Sequence, residues 1–428
     1  MFTERRTRLA MQMGANSIAI IQTSPVAYRN NDADYKYRAD SSFYYLTGFS
    51  EPEAVAVIET LDSPEQYTYT LFCRERDRDM EIWNGYRAGI DGAIEEYDAD
   101  EACAIELLDE EIIDKLINKE KLYYRLGSTL DARVSQWIKT LKEKRQKAPE
   151  QLVQLDTFVD EMRVIKSSQE IELMQKAADI SCEAHTRAMQ TIQPNMMEYA
   201  LEAEINYIFA KNGGVPAYTS IVGGGKNGCI LHYVENNQPL QSGDLVLIDA
   251  GCEYAFYAAD ITRTFPVNGK FSPEQRALYE VVLKDQYAAI DAVRAGNSYY
   301  EPHHIAVRIL TQGLVDLGLL SGNVDKLIAN EAYRQFYMHG TGHWLGIDVH
   351  DVGAYKIKGQ ARLLQVGMVV TIEPGLYVAP DDETVEEKWR GIGIRIEDDV
   401  LVTEKKPYVL TKNVVKEIDA IEQLMAGE

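Results

Sequence analysis

The sequence predicts an α+β protein built as two domains, a smaller N-terminal α/β domain over residues 1–160 and a larger domain over 161–428. Three observations lead there. A chain of 428 residues is two to three times the roughly 150 of a typical domain. Apolar residues make up 46% and charged residues 26%, an ordinary globular balance with no sign of long disorder. Apolar runs alternate with helix-like stretches to about residue 155, after which helices stand beside strand-like segments rich in Gly, His, Asp and Glu.

In the first domain SIAII (17–21), AVAVI (54–58), YTYTLF (67–72) and LYYRL (122–126) read as strands. Segment 131–147 has helical spacing and a basic end. The join to the second domain falls near 150–165, around the polar stretch EKRQKAPEQ. Ser167-Ser168-Gln169-Glu170 then matches a capping box. Ile171, Met174, Ala178, Cys182 and Met189 recur behind it at helical spacing, and His185 on the same face reads as packed core. A second helix over 196–211 ends at Gly213. A third opens at Ser272-Pro273, with Gln275 completing a box, and stops at Gly296. His303-His304, after Pro302 at a helix start, reads as solvated surface.

Charge and composition exclude several functions. Lys plus Arg number 44 against 67 Asp plus Glu, a net charge of −23, which repels nucleic acid and anionic membrane. No apolar run approaches the roughly 18 residues of a membrane span. The opening MFTERRTRLAMQMG lacks an apolar core and a small-residue cleavage site, so it reads as a mature start. Five scattered cysteines form no C-x-x-C pair, which fits a reducing, cytoplasmic compartment and no disulfide frame.

Gly223-Gly224-Gly225-Lys226-Asn227-Gly228 fits G-x-G-x-x-G, yet CILHY follows and reads as strand. Without a helix N-terminus for pyrophosphate, the stretch reads as a flexible glycine loop. LVLIDAGCEYAFYAADITRTF (245–265) carries more chemistry. As a hairpin turning between Tyr254 and Ala255, it opposes Asp249 and Asp260 across the ladder, about 5 Å apart at Cβ. Two such charges repel by roughly 3 kcal/mol at an effective dielectric of about 20, which a divalent cation between them relieves.

MHGTGHWLGIDVHD (338–351) follows. Gly340 and Gly342 argue against a helix, and an extended period of two puts His339, Thr341 and His343 on one face. With His350, three of the seven histidines fall within twelve residues, which speaks against chance surface placement. Glu373 ends the apolar run VVTIE, and Glu397 shares a face with Arg395 in GIGIRIEDD. Arg395 there would hold the Glu397 carboxylate ionised and oriented. The resulting ligand set is Asp249, Asp260, His343, Glu373 and Glu397. It is hard and oxygen-rich and suits two divalent ions per chain, manganese before cobalt, zinc or magnesium.

These blocks resemble a known family. YKYRADSSFYYLTGFSEPEAVAVI (35–58) is similar to the N-terminal domain, and LVLIDAGCEY, DITRTFPVNGKF, HGTGHWLGIDVHDVG, TIEPGLYVAPD and RGIGIRIEDD to the metal-site blocks, of the pita-bread (creatinase/aminopeptidase) metallopeptidases, within them the aminopeptidase P or Xaa-Pro aminopeptidase family. The resemblance implies a pseudo-symmetric catalytic domain and a metal-dependent exopeptidase that frees the N-terminal residue from peptides with proline second. Its ligand positions fall on the same five residues, its substrate-contact histidines on His232, His339 and His350, and its proline pocket on Tyr377 and Arg395. It further implies that Glu373 moves the proton between water and leaving nitrogen. Trp83, in EIWNGYRAG, matches a position that reaches a neighbouring subunit's site in a homodimer or homotetramer. KIKGQARLL (356–364) departs from the pattern in length and charge. Prolidase, which shares fold and metals but cuts only dipeptides, is the nearest alternative. Methionine aminopeptidase fits less well because of the N-terminal domain. A non-catalytic pita-bread binding module would be expected to lose ligands, whereas all five stand here.

Overall fold

The computed structural model describes residues 1–427 and falls into two compact units, Met1–Met162 and Arg163–Glu428. The first is built on six strands: β1 (Ser17–Gln22), β2 (Val55–Thr60), β3 (Tyr67–Cys73), β4 (Glu101–Ala104), β5 (Lys121–Tyr124) and β6 (Gln151–Gln154). They run in the order β4-β3-β2-β1-β5-β6, with β1 antiparallel to β2 and parallel to β5. SIAII is a continuous apolar run because β1 lies mid-sheet, and Ser17 through Ile21 are all buried. The four expected strands are present. β4 and β6 were not legible, since each is a short edge strand with little burial. The helix of 131–147 spans Leu130–Glu143, burying Val134, Trp137 and Leu141 and shedding its basic end.

The second unit repeats one arrangement twice. Helices α1 (Ser168–Thr191) and α2 (Glu198–Lys211) precede strands β7 (Ile221–Gly224), β8 (Leu245–Asp249) and β9 (Thr262–Pro266), an antiparallel sheet in that order. Helices α3 (Pro273–Asp291) and α4 (Glu301–Asp316) precede β10 (Val369–Ile372), β11 (Gly375–Tyr377), β12 (Gly393–Arg395), β13 (Asp398–Leu401) and β14 (Tyr408–Val409). Of these β10, β13 and β14 form a second three-stranded antiparallel sheet, and β11 pairs with β12. Both long helices open on complete capping boxes, Ser167 with Glu170 and Ser272 with Gln275. The pseudo-symmetry implied by the resemblance is thus visible in element order.

Several expectations are corrected. α3 ends at Asp291, five residues short of Gly296, with Ala292 as its cap. CILHY is not a strand: a short 3-10 helix occupies Gly225–Cys229 and turns follow. The glycine stretch is not a flexible loop either: Gly223 and Gly224 end β7, and the 3-10 helix behind them offers no long-helix N-terminus to a pyrophosphate. The hairpin register also shifts, with Asp249 opposite Thr262 and Tyr254 opposite Tyr257. The turn is Ala255-Phe256, both at positive φ (48° and 72°), so Asp249 and Asp260 sit diagonally rather than face to face. Gly251 fits the close crossing beside them, where a Cβ would lie 1.8 Å from the Ala259 carbonyl oxygen.

Candidate metal centre

Each half of the second unit supplies part of one cavity of about 220 Å³. Asp249 ends β8, and Asp260 lies just before β9. His343 belongs to an irregular segment beside β10, joined to it by Thr371 N–H donating to the His343 carbonyl at 3.0 Å. Glu373 follows β10, and Glu397 lies between β12 and β13. All five line the cavity, with His232, His339, His350 and Arg395. Tyr377 stands behind it, its hydroxyl 2.9 Å from His339 Nε2 and accepting from Arg395 Nη1 at 3.0 Å. Trp83 lies in the first unit and is 84% exposed.

Asp260, His343 and Glu397 each offer a ligand atom, and these atoms lie within 4.8 Å of one another. His343 Nδ1 faces the Trp344 carbonyl at 2.9 Å, which turns Nε2 toward Asp260 Oδ2 at 3.4 Å and Glu373 Oε1 at 3.9 Å. The His350 ring packs edge-on against His343 with centroids 4.3 Å apart. Arg395 does not pair with Glu397, as period two suggested. Its Nη2 donates to Asp249 Oδ2 at 2.6 Å and its Nε to Thr262 Oγ1 at 3.0 Å, while Thr262 donates to Glu397 Oε2 at 2.7 Å. The guanidinium therefore supports Glu397 through Thr262.

Thr341 does not share a face with His339 and His343. It is 3% exposed and points away from the cavity, because the glycine-flanked segment is not a regular strand. His303 is not solvated surface either: it is half-buried, with Nδ1 2.8 Å from Thr341 Oγ1, whereas His304 is exposed. His185 is core, as its helical face suggested, with Nε2 2.9 Å from the Ala250 carbonyl oxygen. Tyr218 escaped sequence reasoning altogether. Its hydroxyl lies 2.5 Å from both Asp249 Oδ1 and Asp260 Oδ1. Asp399 also went unnoticed, although its carboxylate accepts from the Asp260 N–H.

The electrostatics show what the donor set requires. Burial, followed by the charge of neighbouring carboxylates, pushes Asp249, Glu373 and Glu397 above their ordinary range, Glu373 to about 7. Burial would lower His343, yet Asp260 and Glu373 raise it to about 9. His339, buried and facing Arg395, is lowered to about 3. Four acidic groups converging with, among the described residues, one fixed guanidinium fit divalent cations, and their oxygen-rich chemistry fits hard ones.

The chain matches the sequence profile of metallopeptidase family M24 over residues 172–404 and that of the aminopeptidase P N-terminal domain over 2–123. It is 48% identical to the Xaa-Pro aminopeptidase of Haemophilus influenzae, covering 99% of this chain and 96% of that one. Among solved structures it is similar to an aminopeptidase of Pseudomonas aeruginosa at 50% identity and a TM-score of 0.97, covering 100% and 97% of the two chains. A zinc-substituted Escherichia coli aminopeptidase P in complex with product matches at 46% identity and a TM-score of 0.97, covering 100% and 98%.

Proposed function

The chain belongs to metallopeptidase family M24, and on that premise we propose that it is a metallo-exopeptidase that hydrolyses the N-terminal Xaa-Pro bond of peptides and releases the N-terminal residue. The observation that carries this reading is the single cavity into which Asp249, Asp260, His343, Glu373, Glu397 and three further histidines converge.

The five ligands hold two divalent ions, with manganese favoured by the oxygen-rich donors and cobalt, zinc or magnesium as other occupants. When bound, these ions supply Lewis-acid polarisation and a lowered water pKa. Glu373 takes the proton of the attacking water and gives it to the proline nitrogen, which has no N–H of its own. A histidine of the cavity wall, His232 or His350, donates to the oxygen that gains charge. Arg395 fixes the Tyr377 hydroxyl, and Tyr377 in turn orients His339, which together form the wall against the proline ring.

Substrate length follows from the same wall. A dipeptidase must meet the free proline carboxylate with a cation, since a buried unpaired carboxylate is costly. Arg395 is committed to Asp249, Thr262 and Tyr377, and among the described residues no Lys and no second Arg lines the cavity. Substrates are therefore tripeptides and longer. Turnover of Ala-Pro-Ala should exceed that of Ala-Pro by at least about 10-fold in kcat/KM, roughly 1.4 kcal/mol of transition-state binding. Equal or better turnover of the dipeptide would transfer the assignment to prolidase.

The protein works as a homodimer or homotetramer in the cytoplasm. Support for assembly comes from Trp83 (84% exposed), Ile82 (73%) and Tyr86 (90%), apolar groups grouped on the surface of the first unit. Trp83 would reach the site mouth of a neighbouring copy. Support for the compartment comes from five cysteines, all free.

A further inference from the structure

We propose that Thr341, tied to His303 and Tyr337, is the positioning residue that fixes His339 and His343 in the metal cavity; the inference rests on the peptidase reading for its kinetic consequence. In the stretch from His339 to His343, the two histidines face the cavity and the residues between are Gly340, Thr341 and Gly342. Glycine loses more backbone freedom on ordering than any other residue, so two of them leave this stretch intrinsically loose. Thr341 is the one side chain between the histidines that can anchor it.

The anchor has three points. Thr341 Oγ1 lies 2.6 Å from the Tyr337 hydroxyl and 2.8 Å from His303 Nδ1. A hydroxyl has one hydrogen and two lone pairs, so it can serve both partners at once. The Thr341 carbonyl accepts the Glu373 N–H at 2.8 Å, so the same residue sets the backbone of the proton carrier. His303 comes from the first turn of α4, a different element from Tyr337, which triangulates the hydroxyl.

Packing alone does not supply this support. Behind the stretch is a second cavity of about 220 Å³, walled by Tyr299, Tyr300, His303, Tyr355 and Leu364 and floored by Gly340, Thr341 and Gly342. A Cβ on Gly340 would meet no atom within 4 Å. On that side hydrogen bonds hold the backbone, namely the Thr341 tie and a Tyr299 hydroxyl donating to the Gly342 carbonyl at 2.5 Å.

The test compares Thr341→Val, Thr341→Ser, His303→Ala and the Thr341→Val/His303→Ala pair in the full chain. Two readouts are taken: kcat and KM for Ala-Pro-Ala at saturating manganese, and hydrogen exchange of residues 338–343 in metal-free protein. Thr341→Val should lower kcat about 10- to 100-fold, the size of effect expected from an ångström of misplacement. KM should rise by no more than a few-fold, through the His339 side of the proline wall, so that the loss falls mainly on kcat. Exchange at 338–343 should quicken, and Thr341→Ser should restore both readouts. His303→Ala should show the same pattern more weakly and add nothing to Thr341→Val. Wild-type kcat and exchange in Thr341→Val, or a fully additive pair, would overturn the proposal. If Thr341→Val fails to fold, His303→Ala, at a half-exposed first helical turn, decides alone. A wild-type protein that leaves Ala-Pro-Ala uncut refutes the peptidase reading, and the exchange data still decide the tie.

Discussion

His185 is fully buried, and burial lowers its imidazole to about 4 while the Ala250 carbonyl holds one ring nitrogen. The folded chain therefore keeps this ring neutral at a pH where the unfolded chain, at about 6.5, binds a proton. The group's stabilisation is complete above about pH 6.5 and is lost as pH falls toward 4, by roughly 3 kcal/mol in total. Urea unfolding at pH 7 and at pH 4.5 should show a steeper acid loss for the wild type than for His185→Gln; parallel slopes would remove this assignment. The same residue illustrates what the sequence disclosed. Its place on an apolar helical face was sufficient to read it as core. Asp249 and Asp260 were equally legible, because acids inside apolar runs demand a partner. Tyr218 was not, since a tyrosine between Ala217 and Thr219 carries no periodic or chemical signal until the fold brings it to both aspartates.

At the scale of elements, a buried ion network joins the segment before α1 to the loop that carries His350. Arg163 Nη2 donates to Asp348 Oδ2 and Asp351 Oδ1, both at 2.6 Å, and Lys166 Nζ donates to Asp351 Oδ2 at 3.0 Å. The Lys166 and Asp351 side chains are each about 1% exposed. Removing the carboxylate takes the ion partner from buried Lys166 and leaves Arg163 with Asp348, so Asp351→Ala should destabilise by about 3–5 kcal/mol in urea unfolding. A loss below about 1 kcal/mol, the size of a surface pair, would show that the network is solvated. Elements also mark the limits of sequence reading. The hairpin register shifted because its turn is Ala255-Phe256, two left-handed residues without the Gly, Asn or Asp that normally signal such a turn. His303 looked like surface because its partner, Thr341, lies 38 residues away.

Over the whole molecule, two half-units, each with a three-stranded antiparallel sheet, share one cavity of candidate metal ligands, and no internal repeat is evident in the sequence. What recurs is physical: a capping box, a long helix, a second helix and a three-stranded sheet. Many residues can satisfy a helix start or an apolar period, which is why the long helices of both halves could be read and their duplication could not. The exposed Trp83 patch makes its own prediction at this scale. Trp83→Ala should raise KM for long peptides while leaving bound metal unchanged, checked by kinetics, metal analysis and sedimentation. A monomeric, fully active wild type would refute it.

The split of donors between the halves bears on how such a chain is made. The half that emerges first from the ribosome carries Asp249 and Asp260, whereas His343, Glu373 and Glu397 belong to the half made after it. With the ligand set proposed, no nascent fragment that stops before Glu397 holds a complete centre. Hydrolytic power would then switch on only after Glu397 is translated and both halves have closed, so a chain stalled before that point cannot attack the free N-termini of chains being made beside it.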